Sequence, residues 1–509
     1  MFVRKKKNKS GTVSVQIISK NRGTYRVVKS VGASDEPVVI ERLVAQARTH
    51  LLQDKHQIGL FPAFTKEAAA IVGFVRNLGN GAIRTIGPEH VFGTLFDRIG
   101  FNAIPEELFR HLVVTRLAYP KSKLKTADYL KRYRGLDIDV NDIYRFLDVL
   151  NATHKTTVEH IAFAHTKKTL GIITVVFYDM TTLYFEAEEE DDFRKIGFSK
   201  DGKFQCPQIM IGLVVGEGGF PIGYDVFEGN TFEGHTLITT LETVAAKYQL
   251  GKPVVVADAA MLSKKNIEEL KRHDYAFIVG GRIKNESEKL KSEIIAQARG
   301  LSDAASFEVN REDGTRLVVT FSEKRKRKDI HNRDKGIKKL RTKVASGKLT
   351  KASITNRGYN KFLTLTGEIA VAIDDDSIAR DARWDGLKGY VTNTKLSHEK
   401  IIEHYGHLWQ IEKAFRVSKS DLRVRPIFHR KRRRIEAHLC IAFVAYSIWK
   451  ELELLLKKQG VDMTPTRAAD LTHTMYAIEY QLPEAATTDI VILQMEAEQQ
   501  ILSDAVHKS

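Results

Sequence analysis

The chain has 509 residues, of which 43% are apolar and 28% are charged, a mixture typical of soluble globular proteins. Its 80 Lys and Arg residues against 63 Asp and Glu residues give a formal net charge of +17. Such an excess favours a polyanionic partner, most often nucleic acid, although ribosome-bound and membrane-surface proteins share the sign.

Cysteine usage and hydropathy exclude several classes of protein. The two cysteines, Cys206 and Cys440, lie in no CxxC pair, which argues against a disulfide framework or a zinc module. The longest uncharged apolar helical run, Leu439–Trp449, has 11 residues, whereas a bilayer span needs about 20. The basic N-terminus precedes an alternating stretch and not an apolar signal segment. We therefore predict a cytoplasmic protein without a membrane partner.

The first 168 residues predict two regions. Residues 11–29 alternate like two strands around the basic turn Lys20-Asn21-Arg22-Gly23, which predicts a β-hairpin arm over residues 1–39. Such an arm either grips DNA phosphates or is a sheet edge protected by lysines. Residues 40–168 have helical periodicity, which is typical of a DNA-binding region and equally of a scaffold that only packs.

A strongly apolar strand begins the next region, residues 169–285. Ile172 to Val176 are all β-branched, and a run without alternation indicates a strand that is covered on both faces. Asp179 follows at its tip. A carboxylate there costs several kcal/mol unless a metal ion, an arginine or a set of N–H groups satisfies it.

The same region predicts further strands and a second acid. The order of elements is β-β-β-α-β-α-β, and the intervening helices make the last strands parallel. Asp258 ends the fourth strand, so adjacent first and fourth strands would bring Asp179 and Asp258 together at one edge of the sheet. Two neighbouring anions repel each other, which raises one pKa or requires a cation.

Residues 286–394 predict a β-rich basic insertion. Of the 28 residues from Lys324 to Lys351, 13 are Lys or Arg. Charge runs usually form a solvated face, but this density favours phosphate contacts through Lys324, Arg325 and Arg327.

Residues 395–455 contain a third acid on a helix. Three- and four-residue steps place five residues on one stripe, so Glu412 is predicted to face inward. These residues are Tyr405, Leu408, Glu412, Phe415 and Lys419. A salt bridge to Arg416 is the structural alternative. A cationic cluster with Arg430, Arg432 and Arg433 follows, then a buried apolar helix, and residues 456–509 form a helical tail.

Three acids from separate places suit a site for two Mg²⁺ ions. Mg²⁺ prefers hard oxygen ligands, and a pair of such ions activates the attacking oxygen and stabilises the leaving oxygen in phosphodiester displacement. Asp179, Asp258 and Glu412 are therefore the candidate ligands.

Several motifs in order resemble one family. The stretches VVFYDMTTLYFE and VVVADAAMLS resemble the segments of the first two acids in the DDE transposases of bacterial insertion sequences. FSKDGKFQCPQIMIGLVV and GFPIGYDVFEGNTFEGHTL resemble the strands between them. Tyr405, Glu412 and Lys419 match the Tyr-Arg-Glu-Lys signature of one group in that family, with Leu408 where the Arg stands.

The resemblance implies a fold and a site. The fold is α/β, with a ribonuclease-H-like mixed five-stranded sheet and flanking helices, interrupted by the β-rich insertion and preceded by a mainly helical DNA-binding region. Asp179, Asp258 and Glu412 are implied as catalytic residues and ligands of two Mg²⁺ ions, with Mn²⁺ as a substitute. Tyr405 and Lys419 are implied as DNA contacts, with Arg416 or His407 as the substitute for the missing arginine.

It also implies an activity. The expected protein is a bacterial cut-and-paste transposase that acts as a homodimer on double-stranded DNA, cleaves terminal inverted repeats and joins the 3′-OH ends to target DNA. The expected localisation is cytoplasmic, with association to the nucleoid when the protein is bound to DNA. Two alternatives stay open: a metal-dependent nuclease or resolvase on the same core without strand transfer, and a catalytically inactive DNA-binding remnant.

Overall fold

The computed structural model describes residues 1–21, 23–55, 79, 82–232, 236–261, 263–347, 349, 351–355, 358–366, 370–481 and 488–508. The chain divides into two compact units, Met1–Asn80 and Gly81–Ser509.

The first unit is a small antiparallel sheet with one helix against it. The strands are β1 (Phe2–Lys7), β2 (Val13–Asn21) and β3 (Thr24–Ser34), and the helix is α1 (Pro37–Lys55). The predicted hairpin is present as β2 and β3, although Arg22 in its turn lies outside the described residues. The basic residues before it form a third strand, because β1 pairs along β2. Val15 and Ile17 pack on Val44 and Ala47 of α1, so the predicted boundary after residue 39 separates elements that share a core.

The second unit combines strands and helices. Its strands are β4 (Ile83–Thr85), β5 (Val175–Tyr184), β6 (Gln208–Val215), β7 (Pro221–Glu228), β8 (Val254–Ala257), β9 (Phe277–Gly281), β10 (Ser306–Asn310), β11 (Arg316–Phe321), β12 (Leu363–Thr366), β13 (Ala370–Ile373), β14 (Leu387–Thr392), β15 (Tyr476–Gln481) and β16 (Thr488–Ile492). Its helices are α2 (Thr94–Ile99), α3 (Glu107–Ala118), α4 (Lys123–Tyr129), α5 (Val140–Val149), α6 (Lys155–Leu170), α7 (Leu237–Tyr248), α8 (Lys264–Arg272), α9 (Glu288–Gln297), α10 (Glu323–Ala345), α11 (Asp375–Ala382), α12 (His398–Gly406), α13 (Trp409–Arg416), α14 (Arg432–Lys458), α15 (Pro465–Thr472) and α16 (Ala497–His507).

A mixed sheet of eight strands forms the centre, in the order β10-β11-β14-β9-β8-β5-β6-β7. The β5–β8 and β8–β9 pairs are parallel and the others are antiparallel, which confirms the predicted parallel strands. The prediction of a five-stranded sheet is wrong. Strands β10, β11 and β14 of the predicted insertion extend it, because β14 pairs with β9 and satisfies an edge that would otherwise be open.

Strand β5 is buried on both faces, as predicted. The prediction that Asp179 ends this strand is wrong, because β5 continues through Asp179 to Tyr184 by pairing with β6. Val175 and Phe177 join the core on one side of the sheet, whereas Val176 and Tyr178 join the core on the other. The first side carries α12, α13 and α14 together with the helices of residues 94–170, and α14 is buried along most of its length, as its apolar sequence predicts. Helices α7 and α8 cover the second side.

Two further parts differ from the sequence predictions. In the insertion, β12 and β13 form a separate hairpin that packs on α10 through Ile337, Leu340, Phe362 and Leu363. The tail, predicted to be helical, contains β15 and β16, which form a sheet with β4. Both segments are rich in Tyr, Ile and Val, which favour strands. In the described part of the chain no helix is long and apolar enough to cross a membrane.

Candidate active site

Asp179 and Asp258 lie at the same edge of the central sheet. Strands β5 and β8 are parallel neighbours, and Tyr178 pairs with Ala257. The residue that follows each member of this pair is an aspartate, Asp179 or Asp258. Phe177 and Val256 both face the side of α12 and α13. Because side chains alternate along a strand, the two carboxylates belong to that side as well. The predicted adjacency of the two strands that carry these acids is therefore confirmed.

Asp179 already has neighbours that stabilise its charge. Its Oδ1 accepts the backbone N–H of Met180 at 2.7 Å, and Lys200 Nζ lies 3.8 Å from the same oxygen. Lys200 also donates to the carbonyl of Met180 at 2.6 Å. This lysine comes from the turn that precedes β6, and no local pattern indicates its approach to Asp179.

Asp258 is held by Tyr405 of α12. The Tyr405 hydroxyl donates to Asp258 Oδ1 at 3.2 Å, and the backbone N–H of Ala259 donates to the same oxygen at 2.6 Å. Burial, with the Asp258 charge beside it, raises the pKa of Tyr405. Gly280 of β9 permits this contact, since a Cβ there would lie 2.5 Å from the Tyr405 hydroxyl.

Lys388 of β14 lies within reach of the charges of Asp258 and Glu412. Its Nζ lies 4.3 Å from the centre of the Tyr405 ring and 5.3 Å from that of Tyr390. Burial lowers the pKa of Lys388, whereas the charges of Asp258 and Glu412 oppose this change. Sequence reasoning missed Lys388, although a lysine inside the apolar strand LKGYVT is a signal that could have found it.

The prediction that Glu412 faces inward is wrong, because its side chain is exposed. The single helix expected over this stretch is interrupted near Gly406, where α12 ends, and α13 begins at Trp409. Tyr405, Leu408 and Phe415 of the predicted stripe are buried. In α13 the buried residues are Ile411, Ala414 and Phe415, and Glu412 lies outside this set. Helix α13 nevertheless packs against β5 and β6, and the Glu412 charge reaches Tyr405 and Lys388.

Lys419 is engaged with an acid outside the predicted trio. Its Nζ lies 3.4 Å from both carboxylate oxygens of Asp201, and Arg425 Nη1 lies 2.8 Å from Asp201 Oδ2. Burial lowers the pKa of Lys419. The predicted DNA contacts of Tyr405 and Lys419 stay predictions, and each side chain has a protein partner that DNA would have to replace.

The other predicted DNA-binding cations lie on the surface in different settings. Lys324, Arg325 and Arg327 are exposed on α10, and Arg416 and Arg430 are exposed as well. Within the described residues, Arg416 makes no ion pair with Glu412, which removes the structural alternative for that acid. Arg432 binds Glu436 at 2.9 Å, and Arg433 binds Asp148 at 2.8 Å.

The donor set of Asp179, Asp258 and Glu412 fits a hard divalent cation in kind, since all three are carboxylates. Two of them come directly after the last parallel pair of β5 and β8, and the charge of the third acts on the same tyrosine and lysine as that of Asp258. Across the described ranges no three His, Cys, Asp or Glu side chains are gathered closely enough to hold a metal ion. The trio therefore has the right chemistry and a shared neighbourhood, without closed ligand geometry.

Comparison with known proteins identifies the region that contains these acids. The family model described as "Transposase DDE domain" matches residues 171–448, more than half of the 509-residue chain. A similar curated protein is the transposase for insertion sequence element IS231E of Bacillus thuringiensis subsp. finitimus, 27% identical over 161 residues. That match covers 30% of this chain and 33% of the relative, so the chain spans about a third of that protein's length.

Two solved structures are similar over part of the chain. One is the piggyBac transposase synaptic complex with hairpin DNA, with 10% identity, a TM-score of 0.37, and 76% of each chain covered. The other is the Mos1 transposase paired-end complex with the left transposon end, with 9% identity, a TM-score of 0.16, and 46% of this chain and 66% of that chain covered. Scores this low do not establish a shared fold.

Proposed function

Since the chain belongs to the family of transposase DDE domains, we propose that it is a DNA transposase of an insertion sequence. It binds terminal inverted repeats, cleaves them hydrolytically and transfers the 3′-OH ends to target DNA by a cut-and-paste route. We assign it to the group with the Tyr-Arg-Glu-Lys signature and its core to the ribonuclease-H-like fold. The strand order β9-β8-β5-β6-β7, with two parallel pairs, supports the fold assignment.

The single observation that carries the proposal is the adjacency of Asp179 and Asp258. They come from positions 79 residues apart in the chain, yet each follows one member of the Tyr178–Ala257 pair on parallel strands. Two carboxylates on the same side of a sheet edge repel each other unless a cation lies between or beside them. A shared divalent cation is the simplest ligand for such a pair.

Asp179, Asp258 and Glu412 would hold the metal ions, Mg²⁺ or its substitute Mn²⁺. Divalent cations bound there supply activation of the attacking oxygen and stabilisation of the leaving oxygen in phosphodiester displacement. Glu412 lies on a short helix that follows an interruption. Small movements of this helix would bring its carboxylate toward the two aspartates.

The remaining residues of the site orient the acids and the DNA. Tyr405 fixes one oxygen of Asp258 through its hydroxyl. Lys388, which lies over the Tyr405 ring, would bind a DNA phosphate and supply the positive charge that the signature arginine provides where this chain has Leu408. Lys419 would contact a DNA phosphate once its ion pair with Asp201 is broken. The phosphate and the Asp201 carboxylate would compete for the same ammonium group.

The basic surfaces would bind the DNA outside the site formed by the three acids. Exposed cations of α10 and of residues 430–433 suit phosphate contacts, and the β-hairpin arm, residues 1–39, and the helical region, residues 40–168, would recognise the ends. The remaining predicted segments, residues 169–285, 286–394, 395–455 and 456–509, would form the interrupted core and the tail. Two ends must be joined in one event, which favours a homodimer.

A strand-transfer assay tests this function. The substrate is a plasmid that carries the DNA flanking the gene for this chain, with Mg²⁺ and a labelled target. A transposase produces joined products. Cutting without joining would instead indicate a nuclease or resolvase, and binding without cutting would indicate an inactive remnant.

A further inference from the structure

A cavity of about 350 Å³ lies between the start of α4, the segment before α14, and α14 itself. Its lining includes none of the three acids Asp179, Asp258 and Glu412. Its charged lining is entirely cationic among the described residues and comes from both α3–α4 and residues 423–425. These side chains are Arg116, Lys121, Lys123, Lys125, Arg423 and Arg425. His429 and His438 also line the cavity, which we call the cationic cavity.

Two of these cations are buried without an acidic partner. The side chains of Arg116 and Lys123 are each only 5% exposed. Arg116 donates weakly to the carbonyls of Leu422 and Arg423, both at 3.4 Å, and lies 3.5 Å from His438 Nδ1. No carboxylate of the described chain forms an ion pair with Arg116 or Lys123. Arg425 differs, because Asp201 neutralises it.

Burial of Arg116 and Lys123 without an acidic partner is unfavourable. A buried charge costs several kcal/mol unless a counter-charge compensates it. Burial lowers the pKa of Arg116 to about 10 and, together with the charge of Arg116, lowers the pKa of Lys123 strongly. Burial and the same two cations lower the pKa of His429 to about 3.

We propose that the cationic cavity is a binding site for a phosphate group, held chiefly by Arg116 and Lys123. A guanidinium fork and an ammonium together match the several oxygens and the multiple charge of a phosphate better than they match one carboxylate. The mouth cations Lys121, Lys125 and Arg423 are exposed and would attract the same ligand. The phosphate belongs either to a nucleic acid or to a free phosphate compound.

Thermal unfolding of the full chain in inorganic phosphate tests the site. Against chloride at matched ionic strength, phosphate should raise the Tm of the wild-type chain by about 2 °C or more, because a ligand of the folded state stabilises it. Lys123→Met should lose this increase, and its own Tm in chloride should equal or exceed that of the wild type, since an uncompensated buried cation is removed. Lys335→Met, which removes an exposed charge from α10, should keep the increase.

Arg116→Met provides a second reading, because Arg116 also bonds two carbonyls. If its role were only structural, the variant would unfold at lower temperature while Lys123→Met kept the phosphate effect, and the proposal would be overturned. Equal effects of phosphate and chloride on the wild type would overturn it as well. In a further arm, saturating duplex DNA abolishes the added effect of phosphate if DNA phosphates fill the cavity, and leaves it intact if a free phosphate compound is the ligand. None of these readouts depends on DNA cleavage.

Discussion

Two charged regions of the larger unit differ in whether their charged side chains have partners within the protein. At the acid edge, formed by Asp179, Asp258 and Glu412, each aspartate has a partner within the protein, Lys200 for the first and Tyr405 for the second. In the cationic cavity, the most buried cations, Arg116 and Lys123, have no acid beside them. Each aspartate thus has a polar partner within the protein, whereas the two buried cations of the cavity have no partner of opposite charge among the described residues.

This difference in partners predicts how a ligand would act on each region. At the acid edge a metal ion or a DNA phosphate must compete with existing contacts, so its binding reorganises the site. In the cavity an anion supplies a missing partner, so its binding stabilises the fold. Substitutions at the acid edge should therefore change activity more than stability, and substitutions in the cavity should do the reverse.

The largest effect is expected from Asp179→Asn. The amide keeps the shape of the side chain but removes the negative charge that a divalent cation needs. We expect cleavage of the flanking DNA to fall by about 10²–10⁴-fold, because metal ions contribute several kcal/mol to such reactions. Gel analysis of plasmid cleavage in Mg²⁺ measures this rate.

Asp225→Asn is the matched control for that variant. Asp225 lies on β7 of the same sheet, where the backbone N–H of Val226 donates to it at 2.8 Å, away from the trio. Cleavage by this variant should stay near the wild-type rate. Undiminished cleavage by Asp179→Asn, or an equal loss in both variants, would refute the assignment of the acid edge.

A smaller loss is expected from Lys388→Met. The variant keeps the apolar stem over the Tyr405 ring but removes the charge that lies near Asp258 and Glu412. We expect cleavage to fall by about 10–100-fold through lost transition-state stabilisation, corresponding to about 1.4–2.7 kcal/mol. Lys388→Arg should restore most of the rate. The exposed neighbour Lys395, changed to Met, serves as a control, and a full rate for Lys388→Met would remove this lysine from the mechanism.

The cavity predicts a dependence of stability on pH. The pKa of His429 is about 3 in the folded chain, because burial and the charges of Lys123, Arg116 and Arg434 oppose protonation. In the unfolded chain it is about 6.5, so between these values the unfolded state binds a proton that the folded state does not. Because of this residue, the free energy of unfolding should fall by about 2 kcal/mol as the pH falls from 7 to 5.

Denaturant unfolding in chloride buffer at several pH values measures this loss. His429→Phe should show a shallower dependence on pH than the wild type, even if its stability at pH 7 is lower. Phosphate should also make the wild-type dependence shallower, since an anion favours protonated His429. Identical slopes for the two proteins would show that His429 does not titrate as described.

The smallest effect concerns the basic helix α10. The double variant Lys324→Gln, Arg327→Gln should weaken DNA binding several-fold at physiological salt and lower the slope of log affinity against log salt by about one unit for each lost phosphate contact. Fluorescence anisotropy with duplex DNA measures both quantities. Lys457→Gln, Lys458→Gln removes the same charge from exposed positions at the end of α14 and should leave the slope unchanged.

The central strands and two acids could be predicted from the sequence because local signals sufficed. An apolar run that ends in Asp179, and another that ends in Asp258, indicate two strands with acids at their tips. This is correct for Asp258, whereas β5 continues beyond Asp179 to Tyr184. The alternating helices then indicate parallel neighbours. Each inference depends only on side-chain pattern and chain order, which is why β5 and β8 lie side by side as expected.

Other features depend on contacts that no local pattern encodes. Glu412 is exposed, although its apolar neighbours on the predicted stripe are buried. Strand β14 joins the central sheet only because the edge of β9 is available to it. Arg116 and Lys123 look like ordinary cations of a basic chain until tertiary packing buries them together.

Binding of Mn²⁺ to the full chain in the presence of duplex DNA tests the central claim most directly. Electron paramagnetic resonance counts free Mn²⁺ and therefore gives the amount bound by the wild type and by Asp179→Asn, Asp258→Asn, Glu412→Gln and Asp225→Asn. We predict that each of the first three variants loses tight binding while Asp225→Asn keeps it. Retention of wild-type binding by any one of the three would contradict the account of a shared metal site.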